Sequence, residues 1–176
     1  LVWKGTDSFS NYERSEAAAY ADGKSLLIDL NTDASVSVNT AMQPSVLYAM
    51  PTKGQRVTLS GTGSLTGDMD LWKSQQGTLV ANVPLDYTGT TYISEGTLEV
   101  NGEIKGDVNL RARGTLSGKA IVNANSFEGA LNYEGCRLMP TEQMTFKQGL
   151  KLDRKVYMEM DITTAEGNQR ADLIKV

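Results

Sequence analysis

A Gly-Thr pair recurs along this chain at a drifting interval, and it constrains the fold more than any other feature. The steps between the marks are 16, 19, 18 and 21 residues; the marks stand at Gly61-Thr62, Gly77-Thr78, Gly96-Thr97, Gly114-Thr115 and, in the next equivalent place, Gly135-Cys136. Between them lie apolar segments of three to five residues, each followed by Gly, Asn or Asp. Short strands separated by frequent corners are therefore predicted.

Two all-β architectures compete for this pattern. One coil of a triangular parallel β-solenoid needs about 18 to 22 residues, with three strands and three corners, which fits the interval. A β-sandwich would instead place turns every 8 to 12 residues or so, and Asn101-Gly102 before Glu103-Ile104-Lys105 is typical of a type I′ hairpin. The longer period favours a parallel β-helix, with the β-sandwich kept as the alternative.

The solenoid predicts which side chains face inward. An apolar residue follows three of the Gly-Thr pairs, at Leu79, Leu98 and Leu116, and Leu98 and Val100 alternate with Thr97 and Glu99. Alternation of this kind indicates a strand with one buried face. Leu79, Leu98 and Leu116 should then stack as an inward apolar ladder.

The two ends of the chain differ from the repetitive middle. Residues 1–24 lack the repeat and carry Trp3, Phe9, Tyr12 and Tyr20, so they are predicted to form an N-terminal cap over coils at 25–176. The segment 12–20 has the only helix-forming composition, after a capping Ser10. The end at Val176 should be covered by a neighbouring domain or another copy, because an exposed coil offers unpaired backbone.

Composition removes several classes of function. The 176 residues include no His and one Cys, which excludes an imidazole base, a His-ligated metal or a disulfide framework within this chain. The net charge is −4 and the basic residues are scattered, so neither nucleic acid nor an anionic membrane is expected as a partner. No apolar run approaches the roughly 20 residues that span a bilayer. No cofactor is predicted.

Residues 77–104 resemble the autotransporter-associated β-strand repeat. The matching elements are Gly77-Thr78-Leu79, a corner at Tyr87-Thr88-Gly89, the strand Thr91-Tyr92-Ile93 and a second Gly96-Thr97-Leu98 that ends at Gly102. Weaker echoes occur at 1–5, 21–25 and 171–176. The resemblance implies a right-handed β-helix in a secreted or outer-surface bacterial protein, as one module of a longer chain.

Few residues suggest chemistry. Asp68 and Asp70 are two residues apart and would project from the same face of a strand, where they could share a Ca²⁺ ion. The commoner arrangement has both carboxylates solvated, with Met69 and Leu71 facing the core. Carboxylates that could meet across strands as an acid and base pair are Glu99, Glu103 and Asp107. The residues that a lyase-like β-helix could use are Lys105, Arg111 and Arg113. Cys136 has no base to activate it and is predicted to be a small core or corner residue, in the place where the repeat has Thr.

Aromatic residues offer a further candidate site. A flat ring can stack on a sugar, and Trp72 and Tyr92 are the preferred candidates among four aromatics that also include Tyr87 and Tyr133. The alternative places Tyr87 in a corner and Trp72 in the core. The sequence thus predicts a non-enzymatic module that acts as a spacer or display element, or as a weak, adhesin-like carbohydrate-binding domain. An accessory or partial domain of a polysaccharide-degrading enzyme is the alternative.

Overall fold

The computed structural model describes most of the chain and is all-β over the part that it describes. The described residues are 1–5, 8–10, 17–30, 32–111, 113–123, 127–129, 135–148, 156–158, 162–165, 168–171 and 173–175. Parallel strands stack as a β-solenoid of about five turns. Within these ranges, no helix has the length and hydropathy needed to cross a bilayer.

Each coil contributes a strand to three faces, here called A, B and C. Face A contains β1 (Val2–Gly5), β2 (Ser8–Ser10), β3 (Ala17–Ala18), β4 (Leu26–Ile28), β7 (Val46–Ala49), β10 (Asp70–Lys73), β12 (Thr91–Ile93), β15 (Val108–Leu110) and β18 (Phe127–Gly129). Face B contains β5 (Ala34–Ser37), β8 (Arg56–Ser60), β11 (Thr78–Ala81), β13 (Gly96–Val100), β16 (Gly114–Gly118), β19 (Cys136–Pro140) and β21 (Val156–Met158).

Face C is narrower because its strands are shorter. It contains β6 (Ala41–Met42), β9 (Ser64–Leu65), β14 (Glu103–Ile104), β17 (Ile121–Val122), β20 (Gln143–Phe146) and β24 (Leu173–Lys175). Isolated bridges from Leu65 to Leu85 and from Leu85 to Ile104 join β9 to β14 across the intervening coil. Outside the three faces, β22 (Ile162–Ala165) and β23 (Asn168–Ala171) form an antiparallel hairpin.

The strand pairing excludes the sandwich alternative. Strand β13 pairs in parallel with β11 on one side and with β16 on the other, while β14 pairs in parallel with β17. Asn101-Gly102 therefore forms a corner from face B to face C and not a hairpin turn. Asn101 Nδ2 donates to the side-chain oxygen Oδ1 of Asn82 in the preceding coil at 2.8 Å, which stabilises this corner.

The core lies inside the triangle of faces and follows from the alternation along each strand. On face B, Leu79 pairs with Leu98, Leu98 with Leu116 and Leu116 with Leu138, and all four side chains are fully buried. On face A, the in-register residues Leu47 and Leu71 are likewise fully buried. Burial of each such side chain contributes about 1.5 to 3 kcal/mol, so the inward ladders are the main source of stability.

The Gly-Thr repeat marks the corner between faces A and B, where two coils approach closely. A Cβ atom on Gly96 would overlap the carbonyl oxygens of Gln75 and Gly77, and one on Gly114 would overlap that of Ile93. Gly96 also has a φ of 69°, which favours glycine. Close approach of the backbone thus excludes side chains at these two positions.

Two of the five sequence marks are out of register. Thr78 pairs with Arg56, so Gly61 lies after its strand, at the corner between faces B and C. Thr115 pairs with Arg137, so Cys136 takes the place of Gly114 and not of a Thr. The buried Cys136 is nevertheless part of the core, as the sequence suggested. The sequence interval missed both shifts because coil lengths vary.

The first residues extend face A at its N-terminal end. Strand β1 pairs in parallel with β4 and antiparallel with β2, and β2 pairs antiparallel with β3. The Trp3 side chain is fully buried within the core cluster. The predicted helix is wrong at Ala17–Ala18, which form β3, because pairing with β2 overrides the helix propensity of alanine. Residues 11–16 and Val176 lie outside the described residues.

Candidate functional site

A column of outward side chains on face A brings together the two predicted glycan-binding residues. The register places one residue of each successive strand in line, in the order Leu27, Tyr48, Trp72, Tyr92 and Asn109. The neighbours of Trp72 along its strand, Leu71 and Lys73, are buried. Trp72 therefore points outward and does not fill the core, which was the alternative that the sequence left open.

Trp72 and Tyr92 stack on each other. Their ring centroids are 4.0 Å apart, with 23° between the ring planes. This distance is shorter than the spacing of about 4.8 Å between neighbouring strands, so the rings lean together along the solenoid axis. Because one flat face of each ring is covered by the other ring, a ligand can contact only the edges and the outer faces.

The guanidinium group of Arg111 lies beside this ring pair. Its central carbon is 4.8 Å from the Tyr92 centroid and 5.3 Å from the Trp72 centroid. A guanidinium over the far face of Tyr92 would be much farther from Trp72, so the charge flanks the stack. Arg111 Nε also donates to Asn109 Oδ1 at 3.2 Å. Two rings and an amide thus hold an exposed cation in place.

Sequence reasoning missed Tyr48 and the position of Arg111 in this group. Tyr48 is 42% exposed and pairs with Trp72 in the ladder, which extends the aromatic column by one strand. The alternation of buried Leu47 and outward Tyr48 was visible, but a longer connection at 50–55 obscured the register between these strands. We call Tyr48, Trp72, Tyr92 and Arg111 the aromatic column.

Of the two residues proposed as a calcium site, Asp70 has a structural role between successive coils. Asp70 Oδ1 accepts the backbone N–H of Thr90 at 2.7 Å. The same contact between successive coils recurs twice: Asp22 Oδ1 accepts from Gln43 N at 2.9 Å and Asp33 Oδ1 from Arg56 N at 2.8 Å. Asp68 is exposed in the turn before β10. In the described part of the chain, no group of three or more His, Cys, Asp or Glu residues is arranged to hold a metal.

The carboxylates considered as an acid and base pair are engaged in separate contacts. Glu99 Oε2 is 2.8 Å from Arg56 Nη2 on face B, whereas Glu103 Oε1 accepts from Lys147 Nζ at 2.9 Å on face C. The hydrogen bond from Lys147 holds the pKa of Glu103 below its ordinary value. Glu103 thus lacks the raised pKa of a general acid. Asp107 precedes β15 on face A.

The residues considered for lyase-like chemistry lie after strands of two different faces. Lys105 comes after β14 and pairs with Asp86, with 3.1 Å between Nζ and Oδ1. Arg111 and Arg113 come after β15 on face A, where Arg113 has a φ of 66° at the corner. Lys105 is thus separated from the arginines by the width of face A.

Tyr87 is excluded as a ligand-stacking residue because it is fully buried. Its hydroxyl shares a hydrogen bond of 2.6 Å with Thr91 Oγ1, also buried, at the corner between faces C and A. Burial raises the pKa of Tyr87 above its ordinary range. Tyr133 lies outside the described residues.

Lys73 is an unexpected buried cation. Its side chain has no exposed surface, and Nζ donates to the backbone carbonyl oxygens of Ser74, Gln75 and Glu95 at 3.0, 2.8 and 2.9 Å. Three donors meet three acceptors, so the ammonium group ties the corner of one coil to that of the next. Burial lowers the pKa of Lys73 to about 8, and the charge of Glu95 opposes this shift.

The geometry defines a class of architecture, the parallel β-solenoid with a partly exposed aromatic column on one face. No protein-family model matches the chain, and neither the curated proteins nor the solved structures include a match.

Proposed function

We propose that this chain is a non-catalytic β-solenoid module of a secreted or surface protein, which spaces or displays other parts of a longer chain. The observation that carries the proposal is the continuous inward ladder, in which Leu79, Leu98, Leu116 and Leu138 pair strand by strand and fill the interior. A solenoid with a filled interior can hold the segments at its two ends at a fixed separation, because each coil stacks only on its neighbours along the axis.

The repeat at 77–104 supports a surface location for the module. Its corner residues Tyr87, Thr88 and Gly89 precede β12. At Gly77, Gly89 and Gly96 a Cβ atom would overlap the backbone of the preceding coil. The resemblance to autotransporter-associated repeats thus agrees with the positions of strands and corners. Secretion and the outer cell surface remain part of the proposal on this ground.

Coil duplication tests the spacer role. Thr78 pairs with Thr97, so a second copy of residues 78–96 inserted after Gly96 keeps the register. The longer variant should fold, retain its melting temperature within a few degrees and lengthen by one strand spacing of about 4.8 Å in X-ray scattering. Unfolding or aggregation of this variant would contradict a function based on repetition.

A turnover assay separates this proposal from the enzyme-domain alternative. The purified chain is incubated with polymers of galacturonate, glucuronate and mannuronate, and new chain ends are measured. No cleavage is expected. Cleavage that disappears in Lys105→Gln or Arg111→Gln would establish the alternative.

Weak carbohydrate binding is a second candidate, favoured by the aromatic column. Tyr48 presents a partly exposed ring, and Trp72 and Tyr92 present ring edges beside it. Contact with one or two rings buries little of a sugar, so a dissociation constant near the millimolar range is expected. A glycan array should show binding that falls in Tyr48→Ala and Trp72→Ala but not in Thr97→Ala, an outward substitution on face B. Equal binding by all three variants would remove this candidate.

A further inference from the structure

We infer that the aromatic column selects sugars that carry a carboxylate, with Arg111 as the residue that recognises the charge. The inference deepens the carbohydrate-binding candidate and depends on it. It starts from the guanidinium group, which two rings and Asn109 Oδ1 hold at a defined place on face A.

The terminal nitrogens of Arg111 remain available for a ligand. Its Nε is used by Asn109, and among the described residues no acceptor bonds either terminal nitrogen. Two parallel N–H groups of a guanidinium match the two oxygens of a planar carboxylate. Because the rings restrict the Arg111 side chain before binding, less conformational entropy is lost when a carboxylate binds.

Carboxylates lie at both ends of the strands of face A. Asp70 and Asp107 lie on its outer side, at the opposite end of their strands from Arg111, and Asp70 already accepts the Thr90 N–H. Glu95 follows β12 at the Arg111 end, where its Oε1 accepts from Gln76 Nε2 at 3.0 Å. Glu128 is in register with Asn109 on the next strand. A ligand carboxylate therefore has to bind Arg111 at a strand end that already carries negative charge.

Two serines complete the polar surface beside the rings. Ser74 and Ser94 occupy the next outward positions after Trp72 and Tyr92, and both are partly exposed. Within the described part of the chain, neither hydroxyl makes a hydrogen bond. Such hydroxyls can donate to and accept from sugar hydroxyl groups.

The spacing suits a single sugar ring. Arg111 reaches back to the level of Trp72 and Tyr92, and Tyr48 lies one strand beyond Trp72, about 4.8 Å farther along the axis. A pyranose against Tyr48 and the edge of Trp72 therefore places a ring carboxylate within reach of the guanidinium. The edge contact supplies affinity and Arg111 supplies selectivity for charge.

The test compares acids with their own uncharged esters. The intact chain is titrated with tetrasaccharides of galacturonic, glucuronic and mannuronic acid, each beside its methyl ester, by NMR or calorimetry. At least one acid should bind about tenfold more tightly than its ester, as expected for one charged hydrogen-bonded contact, and added salt should reduce the preference. Arg111→Gln should abolish the preference, and Arg111→Lys should retain only part of it.

Arg56→Gln is the matched control, because Arg56 is an exposed arginine on face B that pairs with Glu99. Its preference for acids should equal that of the wild type, and melting temperatures should show that all variants fold. The inference is overturned if no acid binds more tightly than its ester, if the preference survives Arg111→Gln, or if sulfated sugars bind better than carboxylates. Ester binding lost in Trp72→Ala would then leave the neutral carbohydrate candidate standing. Absence of all sugar binding would remove both, with the spacer proposal unaffected.

Discussion

Faces A and B have the same interior and different exteriors. Inside, both present in-register apolar residues, such as Leu71 on face A and Leu98 on face B, with no exposed surface. Outside, face A carries the aromatic column, whereas face B carries an ion pair between Arg56 and Glu99. The inward pattern therefore specifies the coil, and the outward residues are where two faces of one solenoid can acquire different roles.

The exterior of face B is closed over by its own side chains. Val80 occupies an outward position between Thr58 and Glu99, yet only 2% of its surface is exposed. The ion pair joins Arg56 and Glu99 from the strands on either side of the strand that carries Val80, so these long side chains lie over it. Face A has no such cover over Tyr48, which is 42% exposed. This difference in exposure is the reason that we propose face A, and not face B, for ligand contact.

The largest effect should come from the shared interior. Leu98→Ala removes a fully buried ladder residue and should lower the free energy of unfolding by about 2 to 5 kcal/mol. The adjacent outward change Thr97→Ala should cost less than about 0.5 kcal/mol. Urea denaturation of both variants measures this contrast, and equal losses would contradict the assigned inward and outward faces.

The buried cation at the corner of faces A and B should give a distinct pH dependence. The pKa of Lys73 in the folded chain is about 8, below the ordinary 10.5, so the unfolded chain binds more protons between these values. Stability should therefore rise with pH in that window, by about 1 to 2 kcal/mol between about pH 7.5 and 9.5.

Lys73→Met should remove this rise, whereas Lys105→Met, at an exposed lysine, should keep it. Measurements stop below about pH 10, because the raised pKa values of Tyr20 and Tyr87 reduce stability above the ordinary tyrosine value. A stability that falls steadily across the window in the wild type would contradict burial of the ammonium group.

The ring stack on face A should contribute less than the interior. Trp72→Ala should cost about 1 kcal/mol, since stacked aromatic pairs are worth roughly 0.5 to 1.5 kcal/mol beyond area burial. Tyr48→Ala, which removes an exposed ring, should cost less than about 0.5 kcal/mol. If Trp72→Ala destabilised as strongly as Leu98→Ala, Trp72 would belong to the core.

The smallest effect should come from the ion pair on face B. A double-mutant cycle of Arg56→Ala and Glu99→Ala should give a coupling energy of about 0.2 to 1 kcal/mol at low salt, because Arg56 is half exposed. The coupling should shrink in 1 M salt. A coupling that did not respond to salt would point to packing over Val80 as its source.

The sequence allowed the interior to be predicted because its physical rules are local. Alternation along β13 specifies the inward position of Leu98. Close backbone contact at Gly96 and Gly114 excludes side chains, so glycine recurs at these corners and the repeat can be recognised in the sequence. Coil length is not local, since connections of variable length are accommodated at corners. For that reason the equivalence of Gly61 to the other glycines was wrong, and the assignment of Cys136 was off by one residue.

The exterior was harder to predict because it depends on register between coils. Trp72 and Tyr92 could be singled out as aromatic residues. Predicting that they stack, and that Arg111 from the next strand lies beside them, requires the alignment of three strands. The alternation along β10 places Lys73, two residues after Leu71, at an inward position. A buried lysine is not expected there, because burying a charge usually costs free energy. Three backbone carbonyl oxygens at the corner offset that cost, and their positions could not be predicted from the sequence.

The parallel register of adjacent coils is the central claim, and disulfide cross-linking tests it most directly. In a Cys136→Ala background, Thr78→Cys with Thr97→Cys places two outward residues in register on β11 and β13, within the Cα separation of about 4.4 to 6.8 Å that a disulfide spans. Glu99→Cys with Ile104→Cys probes the hairpin that Asn101-Gly102 would otherwise form, in which residues 99 and 104 face each other. Rapid oxidation of the 78/97 pair, with a retained melting transition and no bond between 99 and 104, is predicted. Rapid oxidation of the 99/104 pair alone would contradict the solenoid.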